Sequence, residues 1–466
     1  MAPKNCRAHG PADSSRTRIN RSTRLVGVAL ALGLAGCVTY EPAPLDISSI
    51  LDGLDSQDWE SARASGEWGD SPVEPVNLAA FAVSANPTLV AARSEVGVAQ
   101  ALLVEAGLLP DPELGWDAMD LLASRIVDGT SGSVEVLSGF GLMFPLQRPG
   151  ERDARVGAAE WRIEETRRRL ATAEWNLTRD IFLACEEVHA AEELRDQTRA
   201  LSELAASTRD YFGLARDAGT ATGIQANLAQ GELLSIQVQE VRAEVRLLQA
   251  KQSLNSLLGL PPDFELGQIA PGNPFSNEAL QDSTAELTEL AIYSRPDLAE
   301  LEARYQIAEE DVRLAVSAQY PQVAIGTGIS LSLPVLSQWG RPAIDIAVAR
   351  REQIGGEFRT AVHAVRQEIA AAHTLWKLAD RELSLIENEL LPNAEENLEL
   401  AKTAFLEGEI TLLETLALQS ALVEARTRFT EGRAENKKRA WTLLAASGQL
   451  LAPLPTNETV NNENSK

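Results

Sequence analysis

The 466-residue chain is poor in aromatics, cations and histidine, and each shortage closes off a class of function. Aromatics make up 5% of the residues against 44% hydrophobics overall, a composition suited to long helices rather than to compact aromatic cores. Lys and Arg number 42 against 67 Asp and Glu, giving a formal charge of −25. Residues 1–36 hold six bases and one acid, a surplus of five, which leaves −30 on the remainder. That balance argues against nucleic acid as a partner, because binding phosphates needs neutralising cations. The four histidines are His9, His189, His363 and His373. His363 and His373 stand ten apart on a helical pattern and form no ligand pair, so neither a metal site nor a cofactor is expected. No Gly-rich loop follows a strand, which removes an ATPase reading. With no catalytic constellation either, the chain does not read as an enzyme.

The N-terminus is more informative. Arg16, Arg18, Arg21 and Arg24 precede the apolar run LVGVALALGLAGC, the layout of a secretory signal that ends in small residues. The run is too short for an ordinary transmembrane helix. Its last residues, Leu34-Ala35-Gly36-Cys37, resemble the bacterial lipobox. That resemblance implies that residues 1–36 are a signal peptide and that Cys37 is lipidated as the first residue of the mature chain. The alternative to that implication is an ordinary signal with an incidental cysteine. Val38 is not Asp, so the resemblance points to the outer rather than the inner membrane. With Cys6 removed and Cys37 acylated, Cys185 is the only free thiol and no intrachain disulfide can form. In IFLACEEV, Cys185 reads as a small packed helix residue. Residues 37–77 should form a tether along the outside, and the polar, aperiodic tail 449–466 should be disordered.

The chain also repeats itself. NPTLVAARSEVGVAQALLVEAGLLPDP (86–112) aligns with RPDLAELEARYQIAEEDVRLAVSAQYP (295–321) at an offset of 209. Beyond the strands the offset is 189, as in Pro145/Pro334, Gly219/Gly408, Gln230/Gln419 and Gly259/Gly448. The first repeat spans 78–263 and the second 286–448, with 264–285 as linker. The lost 20 residues fall between Pro112 and Pro145 in one copy and Pro321 and Pro334 in the other. The segment 321–334, with Val323, Ile325, Ile329, Leu331 and Leu333 alternating around Gly326-Thr327-Gly328, is therefore a shortened hairpin. Its strands of about five residues fall below the roughly 9–11 that cross a bilayer. The first copy has room for two full strands, at 113–122 and 134–144, joined by a turn at 124–133.

Helices supply the rest. Proline is absent between Pro149 and Pro261, and Leu170, Leu177, Ala184, Ala191, Thr198, Ala205 and Phe212 recur at sevens. Val362, Ile369, Trp376, Leu383 and Leu390 do the same in the second copy, a spacing that needs partner helices. A helix over 150–217 would run ~100 Å at 1.5 Å per residue, and 86–108 and 221–258 would be about 35 and 57 Å. Each repeat thus reads as one long helix beside two short ones in line. Pro392 is expected to kink the second long helix.

Over residues 78–448 this order resembles the TolC-like outer-membrane efflux proteins. The residues that carry the likeness are the lipobox, NPTL and RPDL, FPLQRPGERDARVGAAE, ARDAGTATGIQANLAQ with AFLEGEITLLETLALQS, and LLG at 257–259. The resemblance implies a mainly α fold in which two internal repeats of coiled-coil helices form a trimeric α-barrel with a small β-barrel portion. It also implies a passive conduit of a tripartite efflux pump that exports small molecules or metal ions. Implied partners are two further copies in a homotrimer, a periplasmic adaptor, an inner-membrane pump and outer-membrane lipid. The turns at Gly219 and Gly408 would form the periplasmic tip and meet the adaptor. Glu409 and Glu414 would form an acidic gate, or alternatively solvated helix-end charges. Two other functions stay open: a protein-secretion outlet of an ABC exporter, and a non-conducting periplasmic lipoprotein. The short hairpin favours the lipoprotein, because an incomplete barrel leaves backbone groups unpaired in lipid at several kcal/mol each.

Overall fold

The computed structural model describes residues 40–55, 72–116, 140–274, 280, 282–335 and 338–450. The chain divides into two units at Gly53. The first holds most of α1 (Ile47–Asp55), which Asp46 starts by accepting from the Ser48 backbone N–H at 3.0 Å and its hydroxyl at 2.6 Å.

The second unit is one plan executed twice. The first copy holds α2 (Pro75–Ala85), α3 (Pro87–Gly107), β1 (Glu113–Trp116), β2 (Phe140–Pro145), α4 (Glu151–Asp217) and α5 (Gly223–Leu258). The second holds α6 (Thr284–Ser294), α7 (Pro296–Ser317), β3 (Gln322–Gly326), β4 (Ile329–Ser332), α8 (Arg341–Leu385), α9 (Leu391–Glu407) and α10 (Leu412–Ala446). The break before α3 and before α7 is set by Pro87 and Pro296. Each preceding residue, Asn86 and Arg295, is extended, as a following proline requires. Both residues also tie the break to the end of their own repeat. Asn86 Nδ2 donates to the Leu257 carbonyl at 2.9 Å, and Arg295 donates to the Ala446 carbonyl at 2.9 Å.

The long first helix is uninterrupted, with Ala191, Thr198, Ala205 and Phe212 of the expected stripe buried. The second long path differs. Val365, Ile369 and Ala372 are buried on α8, but Ile386–Leu390 forms a π turn before α9. There the Leu391 N–H donates to the Ile386 carbonyl, five residues back. That extra residue moves the packed stripe on by one. Leu390, assigned to the stripe by its spacing of sevens, is exposed, and Leu391 packs in its place. The disturbance expected at Pro392 is thus a wide turn that places the proline in the first turn of α9, where its missing donor costs nothing.

Helix contacts define a ribbon. Helices α3 and α5 pack on α4, α4 packs on α7 and α10, both of these pack on α8, and α10 also packs on α9. The sheet has the order β1-β2-β3-β4, antiparallel throughout, so its strands follow the helices from which they grow. The main core lies where α2 and α6 tuck against the ribbon, around Leu78, Phe182, Leu254, Leu287, Ile369 and Trp441. A parallel bridge between Val73 and Ile269 fastens the chain entering the first repeat to the linker. Among the described residues no single helix is long and apolar enough to cross a membrane.

Candidate functional site

The two turns at the end of the ribbon farthest from the strands are built from one set of local rules. At 1.5 Å per residue, the 67 residues of α4 separate them from the sheet by about 100 Å. Gly219 and Gly408 both adopt φ 76°, a left-handed conformation that suits glycine. The next residue closes each helix end: the Thr220 N–H donates to the Ala215 carbonyl at 2.9 Å, and the Glu409 N–H to the Ala404 carbonyl at 2.8 Å. A capping box then starts each return helix. Thr222 accepts from the Gln225 N–H while Gln225 accepts from the Thr222 N–H at 2.8 Å. Thr411 and Glu414 repeat the exchange, with the Thr411 N–H donating to the Glu414 carboxylate at 2.7 Å.

A small apolar cluster holds the turns side by side. Phe212, Ala229, Leu412 and Leu416 are buried together with Phe405 against them, and the Phe212 and Phe405 rings lie 6.5 Å apart edge-on. Gly219, Gly408, Glu409 and Glu414 are therefore brought to one end of the molecule. Their charges are unequal. The first turn offers neutral Thr220 and Gln225, with Asp217 paired to Arg216 at 2.8 Å. The second offers exposed Glu407, Glu409 and Glu414, and among the described residues no cation pairs with them. Backbone and hydroxyl hydrogen bonds from Thr411 hold the Glu414 carboxyl below its usual range, so it stays ionised. The capping role of Glu414 was not anticipated from its position, although the signal, Thr-x-x-Glu, stands in the sequence.

A second polar region lies midway, between α4 and α10, around a cleft of about 890 Å³. Its charges neutralise one another: Glu186 meets Lys437 at 3.3 Å and the Trp441 indole at 3.4 Å, Arg433 pairs with Glu193, and Lys438 with Glu187. Arg246 from α5 joins Glu187 at 3.0 Å to Glu431 at 2.7 Å. These pairs stitch three helices together. Cys185 is buried beside them, and burial followed by the Glu186 charge pushes its thiol up to about 12. It is inert packing. Among the described residues no cluster of ligand side chains could hold a metal ion. Cys37 lies outside the described residues, as do the turn at 124–133 and most of the expected long strands.

Comparison with known proteins places this geometry. Residues 80–260 match the family described as Outer membrane efflux protein, a stretch that coincides with the first copy. The chain is 22% identical over 366 residues to the cobalt-zinc-cadmium resistance protein CzcC of Cupriavidus metallidurans, covering 75% of this chain and 84% of that one. It is 23% identical over 449 residues to the pyoverdine export outer membrane protein OpmQ of Pseudomonas aeruginosa, covering 87% and 92%. Among solved structures, the Campylobacter jejuni CmeC outer membrane channel is similar with a TM-score of 0.67 at 14% identity, over 92% of this chain and 98% of that one. The channel CusC aligns with a TM-score of 0.66 at 16% identity, over 80% and 91%.

Proposed function

We propose that this chain is a TolC-like outer-membrane efflux protein, the outer-membrane channel of a tripartite efflux pump. It is a passive conduit, not an enzyme, for small molecules or metal ions. The observation that carries this reading is a ribbon with two unlike apolar edges. Helix α5 buries Leu233, Ile236, Ala243 and Leu247 inside the chain, yet Leu234, Val238, Val241, Val245 and Leu248 stand exposed at coiled-coil spacing on its outer side. At the opposite edge α8 exposes Leu375, Leu378 and Leu385. A helix with two apolar stripes needs two neighbours. Unlike edges that meet one another generate a closed ring, and β1 and β4, the outer strands of the sheet, call for the same closure. Three copies closing in this way make the homotrimer.

Within that assembly Cys37 carries the lipid that holds the chain to the outer membrane. The turns at Gly219 and Gly408 dock a periplasmic adaptor, which links the conduit to its inner-membrane pump. Three copies of Glu409 and Glu414 gather negative potential at one mouth and favour cations there. Support for the gate is the pair of exposed carboxylates that no cation meets among the described residues; support for the anchor is the lipobox. Cys37→Ala should block lipid labelling and leave the precursor unprocessed, and normal maturation of that variant would refute the anchor. The conduit itself is tested by reconstituting intact lipidated oligomers in planar bilayers. Discrete conductance is expected, with cation preference reduced in Glu414→Gln. Silent oligomers would favour the non-conducting lipoprotein, the reading to which the short hairpin also leans.

A further inference from the structure

The β3–β4 hairpin has an unusual combination of reach, facial chemistry and termination. Strand register aligns its side chains with those of the longer hairpin. The pairs Leu114↔Leu142, Phe144↔Ile325, Ile325↔Ile329 and Val323↔Leu331 put seven apolar residues on one continuous face. Paired residues in a sheet point the same way. The opposite face carries Glu113, Gly115, Met143, Ala324, Ser330 and Ser332 in alternation with them. The apolar face is uncovered: Ile329 is 81% exposed and Leu331 58%. No charged residue occurs between Arg313 and Arg341. Tyr320 and Trp339, both half exposed, flank the strands at the helix end, the position that aromatic side chains favour at a membrane interface.

Two features fix where the hairpin stops. A Cβ on Gly326 would sit 1.8 Å from the Leu142 carbonyl oxygen, so the turn is pressed against the backbone of β2. Two donors of the turn are satisfied: the Gly326 N–H bonds the Gly328 carbonyl at 2.9 Å, and the Thr327 N–H bonds the Leu142 carbonyl at 3.0 Å. In hydrocarbon such bonds are needed, because unpaired backbone groups there cost several kcal/mol each. The five residues of β3 at ~3.3 Å each cover about 17 Å, roughly half of a ~30 Å hydrocarbon core.

We infer that the β3–β4 hairpin is a half-depth membrane insertion. Its face of Val323, Ile325, Ile329 and Leu331 lies against the acyl chains of the periplasm-facing leaflet, and its turn ends inside the hydrocarbon without emerging. The inference rests on the outer-membrane reading above and adds the depth at which the second repeat stops. The occupant is lipid because the face is continuous with that of β1 and β2, which grow from the same end of the ribbon toward the membrane.

The test uses full-length lipidated protein with Cys185→Ala, carrying one new cysteine at Leu142, Thr327, Ile329 or Leu331. Each is labelled with an environment-sensitive fluorophore and reconstituted in phosphatidylcholine vesicles. Nitroxide lipids spin-labelled near the headgroup or near the chain end serve as quenchers, and a membrane-impermeant reductant serves as the probe of water. The Leu331 label should lose more fluorescence to the shallow quencher and the Ile329 label more to the deep one. The Thr327 label should resist the reductant from both sides. A Thr327 label bleached by the reductant would overturn the inference. Labels at Ile329 and Leu331 that ignore both quenchers, while the Leu142 label responds, would also overturn it, by showing that protein covers the face; membrane placement would then survive. Silence at Leu142 as well would remove the membrane placement itself.

Discussion

The two repeats agree at one end of the molecule and part company at the other. At the tips, Gly219 and Gly408 share φ 76° and the same closing hydrogen bonds and capping boxes. Midway, Leu78 and Leu287 occupy matching places and are both fully buried. At the strand end the second copy lacks 20 residues. A repeat under one packing constraint keeps its geometry where helices must interlock. It has been free to change where strands meet a different solvent.

The largest test of this equivalence is in the core. Leu78→Ala and Leu287→Ala should each destabilise by about 2–5 kcal/mol, as expected for a truncated buried leucine, and by similar amounts in urea unfolding. A loss confined to one of them would show that the copies are not equivalent in packing.

The strand end should behave in the opposite way. Gly326→Ala forces a Cβ onto the Leu142 carbonyl and should cost about 1–3 kcal/mol. Gly328→Ala meets nothing within 4 Å and should stay within ~0.5 kcal/mol. Equal effects in thermal melts would mean that the turn is not pressed on β2.

The break before α3 and α7 separates the copies chemically. Asn86→Ala removes a neutral cap and should cost about 1 kcal/mol with little salt dependence. Arg295 also pairs with Asp297 at 2.9 Å and Glu368 at 2.7 Å. Arg295→Ala should cost about 1–3 kcal/mol, and added salt should narrow its deficit relative to the unsubstituted chain. Matching salt profiles for the two variants would contradict the ionic assignment.

The smallest effect is at the tips. The depressed Glu414 carboxyl contributes stability that is fully present above the usual Glu value of 4.5 and is lost as pH falls through its lower folded value. Glu414→Gln converts the second capping box into the first, since Gln225 already serves there. That variant should keep its stability at neutral pH and lose this acid-dependent part, as read from melting between neutral and acid pH. An unchanged pH profile would remove the Thr411–Glu414 hydrogen bond as its source.

Much of this architecture was legible in the residues because helix packing is periodic. The proline-free stretch and its sevens gave α4 nearly to its ends, and the two offsets located the shortened hairpin. What escaped was whatever depends on contact rather than period. The π turn moved the stripe from Leu390 to Leu391, a shift of one residue that no heptad count reveals. Arg295 reaches a carbonyl 151 residues away, and β2 pairs with β3 across the repeat boundary. The role of Glu414 was local and could have been found: Thr-x-x-Gln and Thr-x-x-Glu both stand at the start of an apolar periodic run.

The most direct test of unequal reach is surface labelling of intact cells. A tag at Gly129, which lies outside the described residues, sits between the two longer strand segments; a second tag goes between Gly326 and Gly328. A membrane-impermeant reagent should label the first and spare the second, because 33 positions separate Pro112 from Pro145 but 13 separate Pro321 from Pro334. Equal labelling at both sites would contradict the account, since the second hairpin would then cross the whole membrane.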